Sequence, residues 1–306
     1  MNAKLIEDIA SAVLYEGYLL YPYRASALKN QQRWNFGVLY PRAYAEQQSG
    51  ADAWLSQTEC LVRAQTDTKL SVRLRFLQLD TRSLAVAVRN DDTLLIEPRP
   101  QGSVLERDIT LSSLRLSELP SRLATTEPAA SLIEVEAMLV DRELYKLRVT
   151  ISNTSSYHGA TREEALRHSL ISAHSILAID RAEFISLLDP PGELRDIAGD
   201  CKNIGTWPVL VGEDGQRDAM LSSPIILYDY PKIAPESPGA LFDGTEIDEI
   251  LTLRILTLTD EEKLEIGRSD ERARLILERT ESMPAEQFMK MHGVVRSLRE
   301  VQEQMP

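Results

Sequence analysis

Alternation of apolar and polar residues in the first half of the chain restricts its fold more than any other feature. In residues 70–76 every second residue is apolar, and the residues between them are Ser or Arg. A period of two is typical of a β-strand with one buried face. Residues 133–139 and 147–151 continue the pattern, and Asp141-Arg142-Glu143 between them predicts a hairpin connection. The N-terminal half is therefore predicted to form an antiparallel sheet or a sandwich.

Helices are predicted on both sides of this β-rich region. Apolar residues recur at helical spacing in residues 4–13. Thr161 opens a capping-box pattern, Thr-x-x-Glu, and apolar residues then recur at helical spacing as far as Leu177, which predicts a central helix. Two further capping boxes follow residue 240, which predicts helices towards the C-terminus.

The order of these elements predicts an α+β fold with a β-rich N-terminal half, a central αβ section and a helical C-terminal tail. We expect a β-rich domain with an N-terminal helix in residues 1–155, in which residues 120–130 form a loop. Residues 156–240 are expected to form an αβ section with a Pro-rich loop. Residues 241–306 are expected to form a helical region, which packs either by itself or with the αβ section.

The formal net charge of −13 disfavours nucleic acids and anionic membranes as partners, because their phosphate groups repel an acidic surface. The apolar stretches are much shorter than the roughly 20 residues that cross a bilayer. Glu7 and Asp8 interrupt the first apolar run, which is unlike a secretory signal. Cys60 and Cys201 are isolated, which argues against a disulfide framework. The sequence thus predicts a cytoplasmic protein.

Signatures of the common cofactor sites are missing from the sequence. It contains no Gly-x-Gly pair, no phosphate-binding loop and no Gly-x-Ser-x-Gly elbow. His168 and His174 are predicted to lie on different faces of the central helix, where they would not bind one metal ion together. Cys201 is interpreted as a buried apolar residue rather than a nucleophile. We therefore expect neither a cofactor nor a metal ion.

Acidic residues are concentrated where the Pro-rich loop leads into the predicted tail. They include Asp229, Glu236, Asp243 and Glu246. Carboxylates of this kind bind a divalent metal or act as a general acid and base in many enzymes. The spacing of Asp243 and Glu246 also matches a helix cap, and this interpretation is favoured. A small-molecule enzyme that uses these carboxylates with a divalent metal stays open as the alternative function.

Aromatic and cationic residues are interleaved in residues 18–44, which we call the aromatic–basic segment. Its candidate binding residues are Tyr23, Arg24, Lys29, Asn30, Arg33 and Trp34. Aromatic rings supply buried area and Arg supplies directional donors, so the pattern is typical of a recognition surface. The segment would bind an anion or an acidic peptide from outside. It would equally well bind residues 229–282 of the same chain, which contain 14 acids and 7 bases.

Four longer stretches resemble a bacterial family of hypothetical proteins encoded among NiFe-hydrogenase genes, including those of the actinobacterial type. They are YEGYLLYPYRASALKNQQRWNFGVLYPR, LLDPP, WPVLVG and SSPIILYDYPKIAPESPGALFDGTEIDEILTLRILTLTDEEK. The resemblance implies an accessory role in hydrogenase assembly, maturation or structural support. That family has no assigned catalytic residues to carry over to this chain.

The favoured hypothesis is a non-catalytic accessory or scaffold protein that binds another protein, which the resemblance identifies as a hydrogenase subunit or maturation factor. An electron-carrying cluster is disfavoured, because two isolated cysteines do not supply four thiolates. The expected contact surface is the aromatic–basic segment, extended by the loop from Ser222 to Asp243. The sequence does not predict the oligomeric state. It also does not predict whether Cys60 and Cys201 lie close together in the fold.

Overall fold

The computed structural model describes residues 3–15, 37–48, 52–79, 104–126 and 129–232, the backbone of 86–90 and 93–97, and a few positions between 258 and 282. These residues contain twelve strands, four α-helices and two 3₁₀-helices, Leu116–Glu118 and Gly192–Leu194. The strands are β1 (Leu55–Arg63), β2 (Lys69–Leu79), β3 (Val86–Asn90), β4 (Thr93–Glu97), β5 (Val104–Arg115), β6 (Ser121–Thr125), β7 (Ser131–Asp141), β8 (Leu144–Asn153), β9 (Ile171–Ile179), β10 (Glu183–Ile185), β11 (Trp207–Leu210) and β12 (Ala219–Ser223). The helices are α1 (Ala3–Leu14), α2 (Arg42–Gln47), α3 (Arg162–Arg167) and α4 (Arg195–Gly199).

Two five-stranded antiparallel sheets form a β-sandwich. Sheet 1 has the strand order β10–β1–β8–β7–β6, and sheet 2 has the order β11–β12–β9–β2–β5. β3 and β4 pair separately with each other. The predicted strand at residues 70–76 is confirmed as part of β2, and the predicted hairpin is confirmed between β7 and β8.

One apolar core lies between the sheets, because alternate residues of each strand point inward. Leu74 and Phe76 of sheet 2 and Val62 and Ile133 of sheet 1 are fully buried in it. The hydroxyl of Thr58 in β1 lies 2.6 Å from that of Ser222 in β12, so a polar contact also joins the two sheets.

Helix α1 covers the outer face of sheet 2. Ile6, Ile9, Ala10 and Val13 are buried against a cluster that includes Ile176, Val209 and Leu221 of the sheet. The predicted N-terminal helix is therefore confirmed, together with the apolar face that the sequence assigned to it. The helix gives sheet 2 two covered faces, since the sandwich core covers the other.

The predicted central helix is wrong. Helix α3 ends at Arg167, and the following residues form strand β9, in which eight of nine residues are buried. A strand covered on both faces is apolar almost throughout, so its sequence also satisfies the spacing of an apolar helix face. The capping box fails as well, because the Thr161 hydroxyl contacts the Glu164 carboxylate instead of a backbone N–H. His168 and His174 thus do not share a helix.

The predicted α+β fold is also wrong, because strands continue through the section expected to be αβ. β9 to β12 are distributed over both sheets, and β9 and β10 pair with β2 and β1 from the first half of the chain. The expected loop at residues 120–130 contains strand β6. Several of the isolated positions described between residues 258 and 282 are helical, but they are too few to show a helical tail. The domain boundaries at residues 155 and 240 stay predictions.

Candidate functional site

The two segments expected to form a contact surface meet at Gly37 and Pro224. A Cβ atom on Gly37 would lie 2.5 Å from Cγ of Pro224, and Gly37 has a φ of +67°. Its carbonyl accepts a hydrogen bond of 2.8 Å from the N–H of Ala173 in β9. The end of the aromatic–basic segment is therefore held against the first residues of the Ser222–Asp243 loop.

The residues that flank positions 16–36 contact strands β9 and β5 of sheet 2. The Ser172 hydroxyl donates a hydrogen bond of 3.1 Å to the carbonyl of Val13, near the end of α1. The Cα of Ser172 also lies 3.2 Å from the ideal Cβ position of Gly37. Tyr15 is buried and donates a hydrogen bond of 2.6 Å to Glu106 of β5. The six candidate residues from Tyr23 to Trp34 lie outside the described residues, so their binding role stays a prediction.

The described end of the aromatic–basic segment is packed into the protein. Tyr40 and Tyr44 are buried, with ring centroids 5.2 Å apart. Burial raises the pKa of Tyr40 to about 12, although Arg162 acts in the opposite direction. The exposed guanidinium of Arg42 lies 4.4 Å from the centroid of the Trp54 ring. This part of the segment is thus anchored on the body of the sandwich.

Residues 225–228 alternate between half-buried and exposed side chains. Ile225 and Leu227 pack against the cluster under α1, whereas Ile226 is 73% exposed and Tyr228 is 82% exposed. Trp207, at the start of the edge strand β11, is 43% exposed. We call Trp207, Ile226 and Tyr228 the docking surface. Ser223, three residues before Ile226, pairs with Trp207, and large exposed apolar side chains are typical of a protein-binding site.

Asp229 fixes the docking surface along β11. Its carboxylate accepts a hydrogen bond of 2.5 Å from the Ser186 hydroxyl and one of 2.8 Å from the N–H of Leu210. The N–H of Tyr230 donates to the carbonyl of Leu210 at 2.8 Å. The Ser186 hydroxyl in turn accepts from the N–H groups of Leu188 and Asp189. This network explains why residues on either side of Asp229 are held in one orientation.

The proposed carboxylate site is described only at Asp229, both oxygens of which are engaged in this structural network. Glu236, Asp243 and Glu246 lie outside the described residues, so the enzyme alternative stays a prediction. Among the residues that the structure describes, no three His, Cys, Asp or Glu side chains are grouped so as to hold a metal ion.

Both cysteines are free thiols. Cys60 lies in the sandwich core and Cys201 is half-buried beside α4. Burial raises the pKa of Cys60 far above its ordinary value and that of Cys201 to about 11. Because the thiolate is the reactive form, neither residue is activated as a nucleophile at neutral pH. The interpretation of Cys201 as an apolar residue agrees with this environment.

An ion-pair cluster under α1 escaped the sequence reasoning. The Arg75 side chain is only 3% exposed and lies 2.9 Å from Glu7 of α1, 3.1 Å from Asp108 and 3.5 Å from Glu106. Arg73 shares Glu7 at 2.8 Å and Asp108 at 3.1 Å. The alternation in β2 placed both arginines on a polar face, but only the docking of α1 makes that face buried.

His174 lies fully buried in the same region. Its Nδ1 is 2.9 Å from the carbonyl of Ser172, which assigns the proton to that nitrogen. Burial lowers the pKa of His174 to about 4; the hydrogen bond to the Ser172 carbonyl and the Asp108 charge act to raise it, and Arg75 and Arg73 act to lower it. The imidazole is therefore neutral at pH 7, which avoids a third positive charge beside the two arginines.

A second buried carboxylate, Glu59, positions the chain just before the docking surface. It lies 2.7 Å from Arg148 and accepts a hydrogen bond of 2.8 Å from the N–H of Lys202. Burial acts to raise the pKa of Glu59, but the Lys202 N–H and Arg148 outweigh it and hold the pKa below its ordinary value. Asn203 bonds the Glu59 N–H at 2.8 Å. Residues 202–206 are thus fixed against β1, and Trp207 follows directly.

No helix in the described part of the chain has the length and apolar character needed to cross a membrane. No protein-family model matches the chain, and no curated protein matches it with significant similarity. The resemblance to proteins encoded among hydrogenase genes therefore stays a prediction.

Replacing Gly37 with Ala is expected to lower the free energy of unfolding by about 2–3 kcal/mol. The added methyl group would combine a left-handed backbone conformation with a clash against Pro224. Gly205→Ala is the matched control, because Gly205 has a φ of +65° and no atom within 4 Å of its ideal Cβ position. Urea unfolding should show a loss of about 1 kcal/mol for the control. Equal losses would contradict the contact between Gly37 and Pro224.

Proposed function

We propose that this protein is a non-catalytic accessory or scaffold protein that binds another protein through the docking surface of Trp207, Ile226 and Tyr228. The observation that carries the proposal is the pair of apolar side chains at 226 and 228, 73% and 82% exposed beside the anchored Asp229. The partner that we propose is a hydrogenase subunit or maturation factor, which rests on the sequence resemblance alone.

The fixed backbone around the docking surface favours binding. Trp and Tyr are enriched among the residues that dominate interface energies. A mobile loop loses conformational freedom when it binds, which weakens the complex. Here Ile225 and Leu227 are packed and Asp229 is hydrogen-bonded at both oxygens, so the segment already has one orientation. Binding then costs mainly the freedom of the exposed side chains.

The position of the aromatic–basic segment supports the same surface. Gly37 holds the end of that segment against Pro224, only two residues before Ile226. A partner seated on Ile226 and Tyr228 would therefore lie next to the point where the segment joins the sandwich. The cationic residues of the segment would supply directional contacts to acidic groups of that partner.

The proposal is tested by affinity capture from the native host with the tagged wild-type chain and an Ile226→Ser/Tyr228→Ser variant. We expect the double variant to recover the partner at least about tenfold less efficiently, because two central apolar contacts are lost. Arg181→Ser is the control, since Arg181 is 71% exposed and lies outside the docking surface. Circular dichroism and thermal unfolding should show that all three chains are folded.

Three results of this capture carry different meanings. Hydrogenase subunits or maturation factors enriched with the wild-type chain and the control, but lost with the double variant, would support the whole proposal. Another protein with the same dependence would support the docking surface and overturn the hydrogenase assignment. Equal recovery of the partner by all three chains would overturn the docking surface.

A further inference from the structure

His174 lies on the face of sheet 2 that α1 covers. It pairs with Arg75 of β2, and cross-strand partners point to the same face of a sheet. Arg75 reaches α1, where it lies 2.9 Å from Glu7 and donates a hydrogen bond of 3.3 Å to the Ser11 hydroxyl. Ile176, two residues after His174, packs against the apolar residues of α1. The fully buried imidazole is therefore enclosed between the sheet and the helix.

One ring nitrogen of His174 has a hydrogen-bond partner, and the other has none among the described residues. Nδ1 bonds the carbonyl of Ser172 at 2.9 Å, whereas Nε2 is buried without a hydrogen bond. A neutral imidazole with its proton on Nδ1 leaves only an acceptor unpaired. A protonated imidazole has an N–H group on both nitrogens. Its second donor would be buried without an acceptor, which is costly in a protein interior.

Charged side chains from three elements surround the imidazole and are already paired with one another. They are Glu7 on α1, Arg73 and Arg75 on β2, and Glu106 and Asp108 on β5. Strand β12, on the other side of β9, carries no charged residue. A proton on His174 would thus add a third cation to a cluster whose carboxylates are already engaged by the two arginines.

Helix α1 is attached separately from the sandwich core. Its buried residues belong to a cluster distinct from the one between the sheets. The strands of sheet 2 pair with one another, whereas side chains join α1 to the sheet, as in the bond from the Ser172 hydroxyl to the Val13 carbonyl. Separation of α1 therefore leaves every strand pair of sheet 2 intact. Elements attached in this way open locally at a lower free energy than the whole fold.

We propose that protonation of His174 releases α1 from sheet 2 while the β-sandwich stays folded. Release admits water to the ring, so both N–H groups find acceptors, and water also screens the three cations from one another. The outer face of sheet 2, with Ile176, Val209 and Leu221, then becomes exposed. Helix α1 is thus a cover that acid removes.

The release should increase most between pH 7 and pH 5. The docked helix holds the pKa of His174 at about 4, and in the open state the imidazole regains its ordinary value of 6.5. Because the open state binds the proton more tightly, acid favours it. The stabilisation of the docked state is fully present above pH 6.5 and is lost progressively down to about pH 4. The two pKa values correspond to a rise of about twentyfold in the ratio of open to docked chains from pH 7 to pH 5.

Thiol labelling of the full chain measures the release. In a Cys201→Ser background, Val13→Cys places a thiol of similar volume under α1, where Val13 is 4% exposed. Cys60 is fully buried in the sandwich core and reports unfolding of the sandwich in the same molecule. A dipyridyl disulfide reagent, which reacts with thiols at acid pH, labels the chain at pH 7 and pH 5, and each rate is divided by that of the urea-unfolded chain. The rate at position 13 should rise about twentyfold at pH 5, with Cys60 labelled much more slowly.

Two histidine variants assign the effect to one residue. In a His174→Gln chain the rise at position 13 should largely disappear, because Gln does not titrate. His168→Gln is the control, since His168 is exposed, and it should keep the twentyfold rise. A rise that persists in His174→Gln, or labelling of Cys60 as fast as that of position 13, would overturn the proposal.

Hydrogen exchange of the unmodified chain gives a second measurement that does not depend on the folding of any variant. After correction for the pH dependence of chemical exchange, the amides of α1 should lose about twentyfold of their protection between pH 7 and pH 5. The amides of β1 and β8 should keep theirs. Protection of α1 that is unchanged, or that is lost together with the protection of β1 and β8, would contradict the release of α1 from a folded sandwich.

Discussion

Replacing Arg75 with Met is expected to lower the free energy of unfolding by about 3–5 kcal/mol. The Arg75 guanidinium is almost fully buried and lies within ion-pair distance of Glu7, Glu106 and Asp108. Removal of this one cation leaves three carboxylates close together under α1, and breaking a buried ion pair from one side is strongly destabilising. Urea unfolding at pH 7 measures the loss.

Arg73→Met is the matched control for this prediction. Arg73 contacts two of the same carboxylates, but its side chain is 33% exposed, so solvent screens the change. The Arg73→Met variant should lose about 1 kcal/mol of unfolding free energy. Equal losses in the free energy of unfolding for the two variants would contradict the claim that burial by α1 makes Arg75 more important for stability than Arg73.

Acidification from pH 7 to pH 4 is expected to remove about 3 kcal/mol of stability through His174 alone. The folded protein holds the pKa of His174 at about 4, whereas the ordinary value is 6.5. As the pH falls below 6.5, the unfolded chain binds a proton that the folded chain does not, so the unfolded state is favoured. The stabilisation is fully present above pH 6.5 and is lost progressively down to about pH 4.

Urea unfolding of the wild-type chain and a His174→Gln variant at several pH values separates this effect from that of the carboxylates. Both chains share Arg73, Arg75, Glu7 and Asp108, so the difference between their pH profiles reports His174. His168→Gln is the control, because His168 is exposed, and it should keep the wild-type profile. Parallel profiles for the wild-type chain and His174→Gln would contradict the buried, neutral imidazole.

Both predictions concern the attachment of α1, which bears on the proposed function. α1 ends at Leu14, and buried Tyr15 follows it with a hydrogen bond to Glu106. Glu106 also lies near Arg75 in the ion-pair cluster. Tyr15, which precedes the aromatic–basic segment, is therefore tied to the same cluster that holds α1 on sheet 2.

Elements in which apolar residues recur with a regular period were predictable from the sequence. α1, β2 and the hairpin of β7 and β8 each bury alternate or helically spaced residues, and their periods identified them. β9 was mistaken for a helix, because it is covered by the core on one face and by α1 on the other. β6 was mistaken for a loop, since it is short and sits at a sheet edge.

The sequence identified part of the candidate site but not the hydrogen bonds that hold it in place. It identified the loop that begins at Ser222, yet the hydrogen bonds of Asp229 to Ser186 and Leu210 join residues 43 and 19 positions apart. Contacts over such distances are set by how the strands associate. The burial of Arg75 depends in the same way on a neighbouring element, helix α1.

Photo-cross-linking from position 228 tests the central claim most directly. A benzophenone amino acid would replace Tyr228 in the tagged chain, expressed in the native host, and Arg181 would be replaced in the same way as the control. The account predicts covalent capture of a hydrogenase subunit or maturation factor from position 228 and not from position 181. Absence of any protein adduct at position 228, or equal adducts from both positions, would contradict a docking surface at Trp207, Ile226 and Tyr228.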